Sequence, residues 1–153
     1  MEACKHESIA NEIDSKLFKL AKEQASFAWY KFNSNLLPKS QESGHPQEFL
    51  RTRYNSIASS QLNEDGEIFS GAIFPEGSLI VKELYRPGGS LDQFAIQFKD
   101  SGSEFADACG WIWGYLKPNG ETVISATEKG ASCIRCHSQD DNIDYMLMDK
   151  YFD

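Results

Sequence analysis

No run of apolar residues in this chain approaches the roughly 18 consecutive positions of a membrane-spanning helix, and no short apolar core near its start reads as a secretory signal. The sequence therefore reads as that of a water-soluble domain. Basic residues are few and dispersed: 15 Lys and Arg stand against 23 Asp and Glu, for a formal charge of -8, and the tightest basic grouping is Arg51 with Arg53. Such a surface repels a phosphate backbone, which excludes nucleic acid and leaves a basic protein as the partner that its charge would steer. Histidine and cysteine are scarce as well, at three and four residues. Beyond one C-x-x-C there is no second such pair and no H-x3-5-H. A four-ligand zinc site would have to be completed by the scattered Cys4, His6, His45 and Cys109. Internal repeats and low-complexity stretches are absent too. With 153 residues and 41% hydrophobic content the chain can bury one real core, and a single domain over 1–153 is expected.

What is present divides into two patterns. Ile9, Ile13, Leu17, Leu20, Ala21, Ala25 and Ala28 recur at steps of three and four, with Glu12, Lys16, Lys19 and Glu23 between them. This predicts an amphipathic helix over about 8–32, stopped by Asn33-Ser34-Asn35 and Pro38. A polar loop follows to Gln47, and His45 beside Pro46 reads as part of a turn. From there the period changes. Segments 49–54, 79–85, 93–99, 111–116 and 121–126 are rich in aromatic and β-branched residues and are separated by Asp-Gly, Pro-Glu-Gly, Pro-Gly-Gly and Pro-Asn-Gly turns. They predict antiparallel strands, with a short helical piece over 56–62 and a helical turn over 145–150. The expected class is α+β: an N-terminal amphipathic helix and loop over 1–43, then an antiparallel β-sheet core with short helices over 44–153.

The chemistry is concentrated in Cys133-Ile134-Arg135-Cys136-His137, the C-x-x-C-H spacing of c-type haem attachment. Two thiols three apart can add to the two vinyl groups of one porphyrin, and the following imidazole is placed to serve as proximal iron ligand. Zinc binding and dithiol redox chemistry are the competing uses of C-x-x-C. They fit less well, because zinc lacks its second pair and Lys129-Gly130-Ala131-Ser132 leads in from a strand and turn rather than opening the helix of a βαβ unit. Covalent haem attachment in bacteria follows export, so the motif predicts a periplasmic protein, and a trimmed mature chain reconciles that with the missing signal. Ala3-Cys4 is compatible with the end of a lipoprotein processing site; a Cys4 to Cys109 disulfide and a plain unpaired thiol are its alternatives.

The motif lies near the end of a β-rich chain, and its context carries a resemblance. Arg51-Thr52-Arg53-Tyr54-Asn55, Phe74-Pro75-Glu76-Gly77-Ser78-Leu79-Ile80-Val81-Lys82-Glu83-Leu84-Tyr85, Gly110-Trp111-Ile112-Trp113 and Asp144-Tyr145 follow one another in an order and spacing that resemble the cytochrome P460 family. The resemblance includes its relative cytochrome c-prime-beta and runs from about Gly44 to the C-terminus. It implies one haem c held through Cys133 and Cys136 with His137 as iron ligand, Lys82 as an additional covalent tether to the porphyrin edge, and Arg51 near the haem. The bare strand pattern alone would let Lys82 snorkel to solvent and Arg51 lie on the surface. The resemblance further implies an open distal position for hydroxylamine or nitric oxide, an external redox partner, and homodimers among relatives.

One position departs from the family. The distal carboxylate that assists proton removal during hydroxylamine oxidation falls at Ala95, which cannot take a proton. Asp92, Gln97 and Asp100 are the nearby substitutes. The expected function is thus a mono-haem P460-type cytochrome that binds small nitrogen species, with oxidation of hydroxylamine in question. Nitric oxide binding without turnover is the principal alternative. A six-coordinate electron carrier using Met146 or Met148 is a third. Trp111 with Trp113, and Phe74, Phe94 and Phe98, are read first as core and second as haem contacts.

Overall fold

The computed structural model describes residues 2–23, 26–41 and 43–148, with side chains from Glu12 onward. Its centre is a seven-stranded antiparallel sheet made of β1 (Ala28–Trp29), β2 (Leu37–Pro38), β3 (Phe49–Tyr54), β4 (Leu79–Tyr85), β5 (Leu91–Lys99), β6 (Trp111–Leu116) and β7 (Thr122–Ile124). The spatial order is β1-β3-β4-β5-β6-β7, with β2 also paired to β3. Three of the predicted strands, 49–54, 79–85 and 111–116, match to the residue, and β5 starts two residues before the predicted 93–99. The expected 121–126 strand is shorter. Ser125 and Glu128 form a capping box that turns Ala126–Glu128 into a 3-10 helix instead. The helical piece expected over 56–62 is a 3-10 turn, Ala58–Gln61. The helical turn expected over 145–150 falls partly outside the described residues, and at Tyr145 the backbone is in a left-handed conformation.

Helix α1 runs Glu2–Lys22, so it begins before and ends well short of the predicted 8–32. A tertiary donor decides its end. The buried Arg53 guanidinium of β3 donates to the carbonyls of Ala21 and of Glu23, the latter at 2.8 Å. Those are among the carbonyls left without partners at a helix C-terminus. Beyond them, Ala28 and Trp29 take up sheet pairing with Tyr54 and Arg53, which overrides the helical spacing of Ala25 and Ala28.

Strand alternation gives the sheet two apolar faces. Leu79, Val81, Phe94, Ile96, Ile112 and Leu116 pack with Leu17 and Ala21 of α1. Gly114 lets the helix close on the sheet, because a Cβ there would lie 2.8 Å from Leu17 Cδ1. Near the middle of α1, buried Asp14 accepts from Ser125 Oγ (2.8 Å) and Ala126 N (2.9 Å). The opposite face collects Leu50, Tyr54, Ile80, Leu84, Trp111 and Trp113 with Phe74, Cys133, Met146 and Met148. The C-x-x-C-H segment is therefore docked on the face away from α1.

Candidate haem site

Cys133 caps a single helical turn, α2 (Ile134–His137), on which the two thiols and the imidazole are displayed. Gly130 places that turn. Its φ of +72° is left-handed, and a Cβ there would come within 2.4 Å of the Trp113 indole, so only glycine brings the turn this close to β6. The Gly130 carbonyl accepts from Cys133 N (2.8 Å) and Ile134 N (2.9 Å). Cys133 is buried, which raises its thiol above the ordinary range, whereas Cys136 is partly exposed.

The His137 ring is held from two sides. Its Nδ1 is 2.7 Å from the Tyr145 carbonyl, and because a carbonyl can only accept, Nδ1 carries the proton and Nε2 presents a bare lone pair. The ring meets Trp113 edge to face, with centroids 4.9 Å apart. Burial, and after it the charge of Lys82, lowers the imidazole pKa to about 4, against a smaller raising effect of the Tyr145 bond. At neutral pH the ring is uncharged, which is the form that binds a metal.

Next to it lies a cavity in two lobes. One is walled by Ile80, Lys82, Ala95, Gln97, Tyr115 and Met146. The other reaches past Leu50, Cys136, Leu147 and Met148. His45, Lys82 and His137 line both. The register explains the wall: Thr52, Lys82, Ala95 and Tyr115 stand in one cross-strand row, and the small Ala95 leaves room beside the lysine. Burial lowers the Lys82 ammonium to about 8, partly offset by attraction to Cys136.

The wall also carries a pair not assigned to the site from sequence, His45 with Tyr115, and one residue that was, Gln97. His45 does sit in a loop, as expected, yet it is 9% exposed, and its Nδ1 is 2.7 Å from the Tyr115 hydroxyl. Burial and the charge of Lys82 hold its pKa well below the usual histidine range. Gln97, one of the substitutes considered for the distal carboxylate, is buried with its Nε2 lacking a partner among the described residues. Tyr115 was legible in principle, as the residue two after Trp113 on the same strand face. For His45 the sequence carries no local signal.

Other expected contacts lie elsewhere. Arg51 is on the α1 side of the sheet, not with Lys82 and His137. Its Nε is 2.7 Å from Glu83, its Nη1 donates to Ser34 O, and its guanidinium stacks 4.3 Å from the Trp29 ring centroid. Alternation is the reason: Thr52, not Arg51, stands opposite Lys82. Phe94 and Phe98 also belong to the α1 side, and Phe74 stacks on Tyr54 within the core without lining the cavity. Asp92 is taken up by Gln47 (2.8 Å) and Arg86, and neither it nor Asp100 lines either lobe. Met148 Sδ accepts from the Thr52 hydroxyl at 3.4 Å. Cys109 is an exposed free thiol, and the side chain of Cys4 lies outside the described residues.

The donor set fits a covalently held porphyrin: two thiols on one helical turn, a neutral imidazole with one nitrogen satisfied and the other free, and an apolar cavity between that turn and the sheet. The family model described as Cytochrome P460 matches residues 28–148. The chain belongs to the cytochrome P460 family. It is accordingly a haem c cytochrome of the P460 type, and the matched region takes in all seven strands and the motif but leaves out α1. No curated protein and no solved structure matches the chain. The chemistry of this P460 cytochrome's cavity is set by its lining. Lys82, His45, Tyr115, His137 and Cys136 are its titratable side chains among the described residues, and no carboxylate joins them.

Proposed function

We propose that Cys133 and Cys136 hold one haem as thioethers, that His137 Nε2 ligates its iron, and that small nitrogen species such as nitric oxide or hydroxylamine bind at the remaining iron position. When bound, the haem supplies an iron centre that can take a nitrogen ligand and exchange one electron at a time. The observation that carries this reading is the meeting of Lys82, His45 and His137 on one largely apolar cavity.

The chain's own residues have distinct tasks. His137 is a neutral nitrogen donor. Lys82 has its pKa lowered to about 8, so part of it is neutral and nucleophilic near neutral pH, able to form a C–N bond at the porphyrin edge in place of a C–H bond, with two protons released and two electrons passed to an external oxidant such as a peroxide. The His45 and Tyr115 pair can hydrogen-bond a ligand in the cavity, and Gln97 Nε2 offers a further donor. Apolar Ile80, Ala95 and Met146 keep that space poor in water. Export to the periplasm and electron exchange with a basic partner go with this reading, given the -8 charge.

Oxidation of hydroxylamine is the second reading, and His45 favours it as the remaining cavity imidazole, a weak base because of its lowered pKa but one with a proton-accepting nitrogen that Ala95 lacks. The test is nitric oxide binding by the haem-loaded ferrous protein, followed by hydroxylamine turnover with an artificial electron acceptor. Binding with no acceptor reduction supports a ligand binder. Turnover that His45→Ala reduces by on the order of 100-fold or more supports the oxidase, in line with a lost general base. Failure to bind any of these ligands contradicts both.

A further inference from the structure

A second network lies behind His137, outside the cavity. It converges on the turn from Ile143 to Met146, whose two ends exchange backbone hydrogen bonds of 2.9 Å each. Asp144 and Tyr145 within it have φ of +46° and +68°, left-handed values that are strained for a non-glycine residue unless neighbours impose them. Neighbouring groups do impose them. Lys99, only 6% exposed at the end of β5, places its ammonium 2.9 Å and 3.3 Å from the two Asp144 oxygens and 4.7 Å from the Trp111 ring centroid. Asp144 Oδ2 also accepts from Phe74 N (2.8 Å), the Asp144 carbonyl accepts from Trp111 Nε1 (3.1 Å), and Asn142 Oδ1 accepts from Tyr145 N (2.8 Å).

What this clamp delivers is one atom. The Tyr145 carbonyl is fixed 2.7 Å from His137 Nδ1. We propose that Lys99 and Asp144 are positioning residues for His137: their buried ion pair holds the strained turn, so that its carbonyl fixes the tautomer and orientation of the imidazole and raises the donor strength of Nε2. Partners of this kind behind a metal-bound histidine set its basicity without touching the metal. The holoprotein consequence rests on ligation by His137; it is independent of which ligand occupies the cavity.

The experiment compares Asp144→Asn, which keeps an acceptor for Phe74 N, with Lys99→Met and the charge-conserving Lys99→Arg. Lys117→Met, which removes an exposed pair to Glu121 (3.1 Å), is the control. In haem-free protein, imidazole ¹⁵N shifts should report a single Nδ1–H tautomer for His137 in the wild type and in Lys99→Arg, and a tautomer mixture in Asp144→Asn and Lys99→Met. In the ferrous holoprotein the iron–histidine stretching band should fall and the midpoint potential should rise in the same two variants. Unchanged tautomer, band and potential in folded Asp144→Asn and Lys99→Met would overturn the proposal, as would equal changes in Lys117→Met. A tautomer shift in haem-free protein alongside an unmoved iron–histidine band would support the clamp and reject His137 as the ligand, so the two failures are distinguishable.

Discussion

At the scale of single residues, three nitrogens share one cavity and their titrations are linked. The Lys82 charge is among the causes that lower both His45 and His137, after burial in each case. Lys82→Met should therefore raise both imidazole pKa values, measurable by NMR titration of haem-free protein; a fall in either would contradict the arrangement. The sign for stability follows from the His137 value of about 4. The unfolded chain takes up that proton below about 6.5 while the folded one does not until about 4. Stability from this group is therefore complete above that window and is lost as pH falls through it, by about 2 kcal/mol allowing for partial exposure. Chemical denaturation at pH 7 and pH 4.5 should show a smaller loss in His137→Gln than in wild type. Much of this site was legible beforehand, because Cys133, Cys136 and His137 are neighbours in the chain and their chemistry depends on spacing. His45 was not. Its place is set by a loop folding over Tyr115, a contact across 70 residues that leaves no local pattern.

At the scale of elements, the sheet separates structural charge from functional charge. Glu83, 1% exposed, faces α1 and accepts from Arg51 (2.7 Å), Arg53 (3.0 Å) and the Tyr85 hydroxyl (2.7 Å). Its neighbour Lys82 faces the cavity. Removing the carboxylate strands two guanidinium groups, one of them fully buried and responsible for ending α1. Glu83→Ala should cost about 3–5 kcal/mol, read by urea denaturation, while leaving the spectrum of the haem-loaded protein unchanged. A spectral change with little loss of stability would place Glu83 and Arg51 at the site after all. This separation also shows where sequence reading stopped. The strands were visible through alternation and turn residues, but the register that puts Thr52 rather than Arg51 beside Lys82 is a pairing between strands. The end of α1 likewise depended on Arg53, 30 residues from the carbonyl it caps.

At the scale of the whole molecule, one sheet serves as a partition, with a helix closing one face and a single-turn attachment motif and its clamped return loop closing the other. The family match covers that partition and the second face, residues 28–148, so the cavity belongs to the cytochrome P460 part of the chain. On the cavity wall Ala95 pairs with Tyr115 across β5 and β6, and the Tyr115 hydroxyl meets His45. The central claim is that the cavity holds one covalent haem with an open coordination position. Intact mass and visible spectra, with and without carbon monoxide, of protein produced together with a haem-attachment apparatus test it most directly. The account predicts a mass increased by one haem that survives denaturation, a ferrous spectrum that shifts on adding carbon monoxide, and a tether to residue 82 lost in Lys82→Ala while the thioethers remain. An unmodified mass, or a low-spin ferrous spectrum indifferent to carbon monoxide, would contradict it.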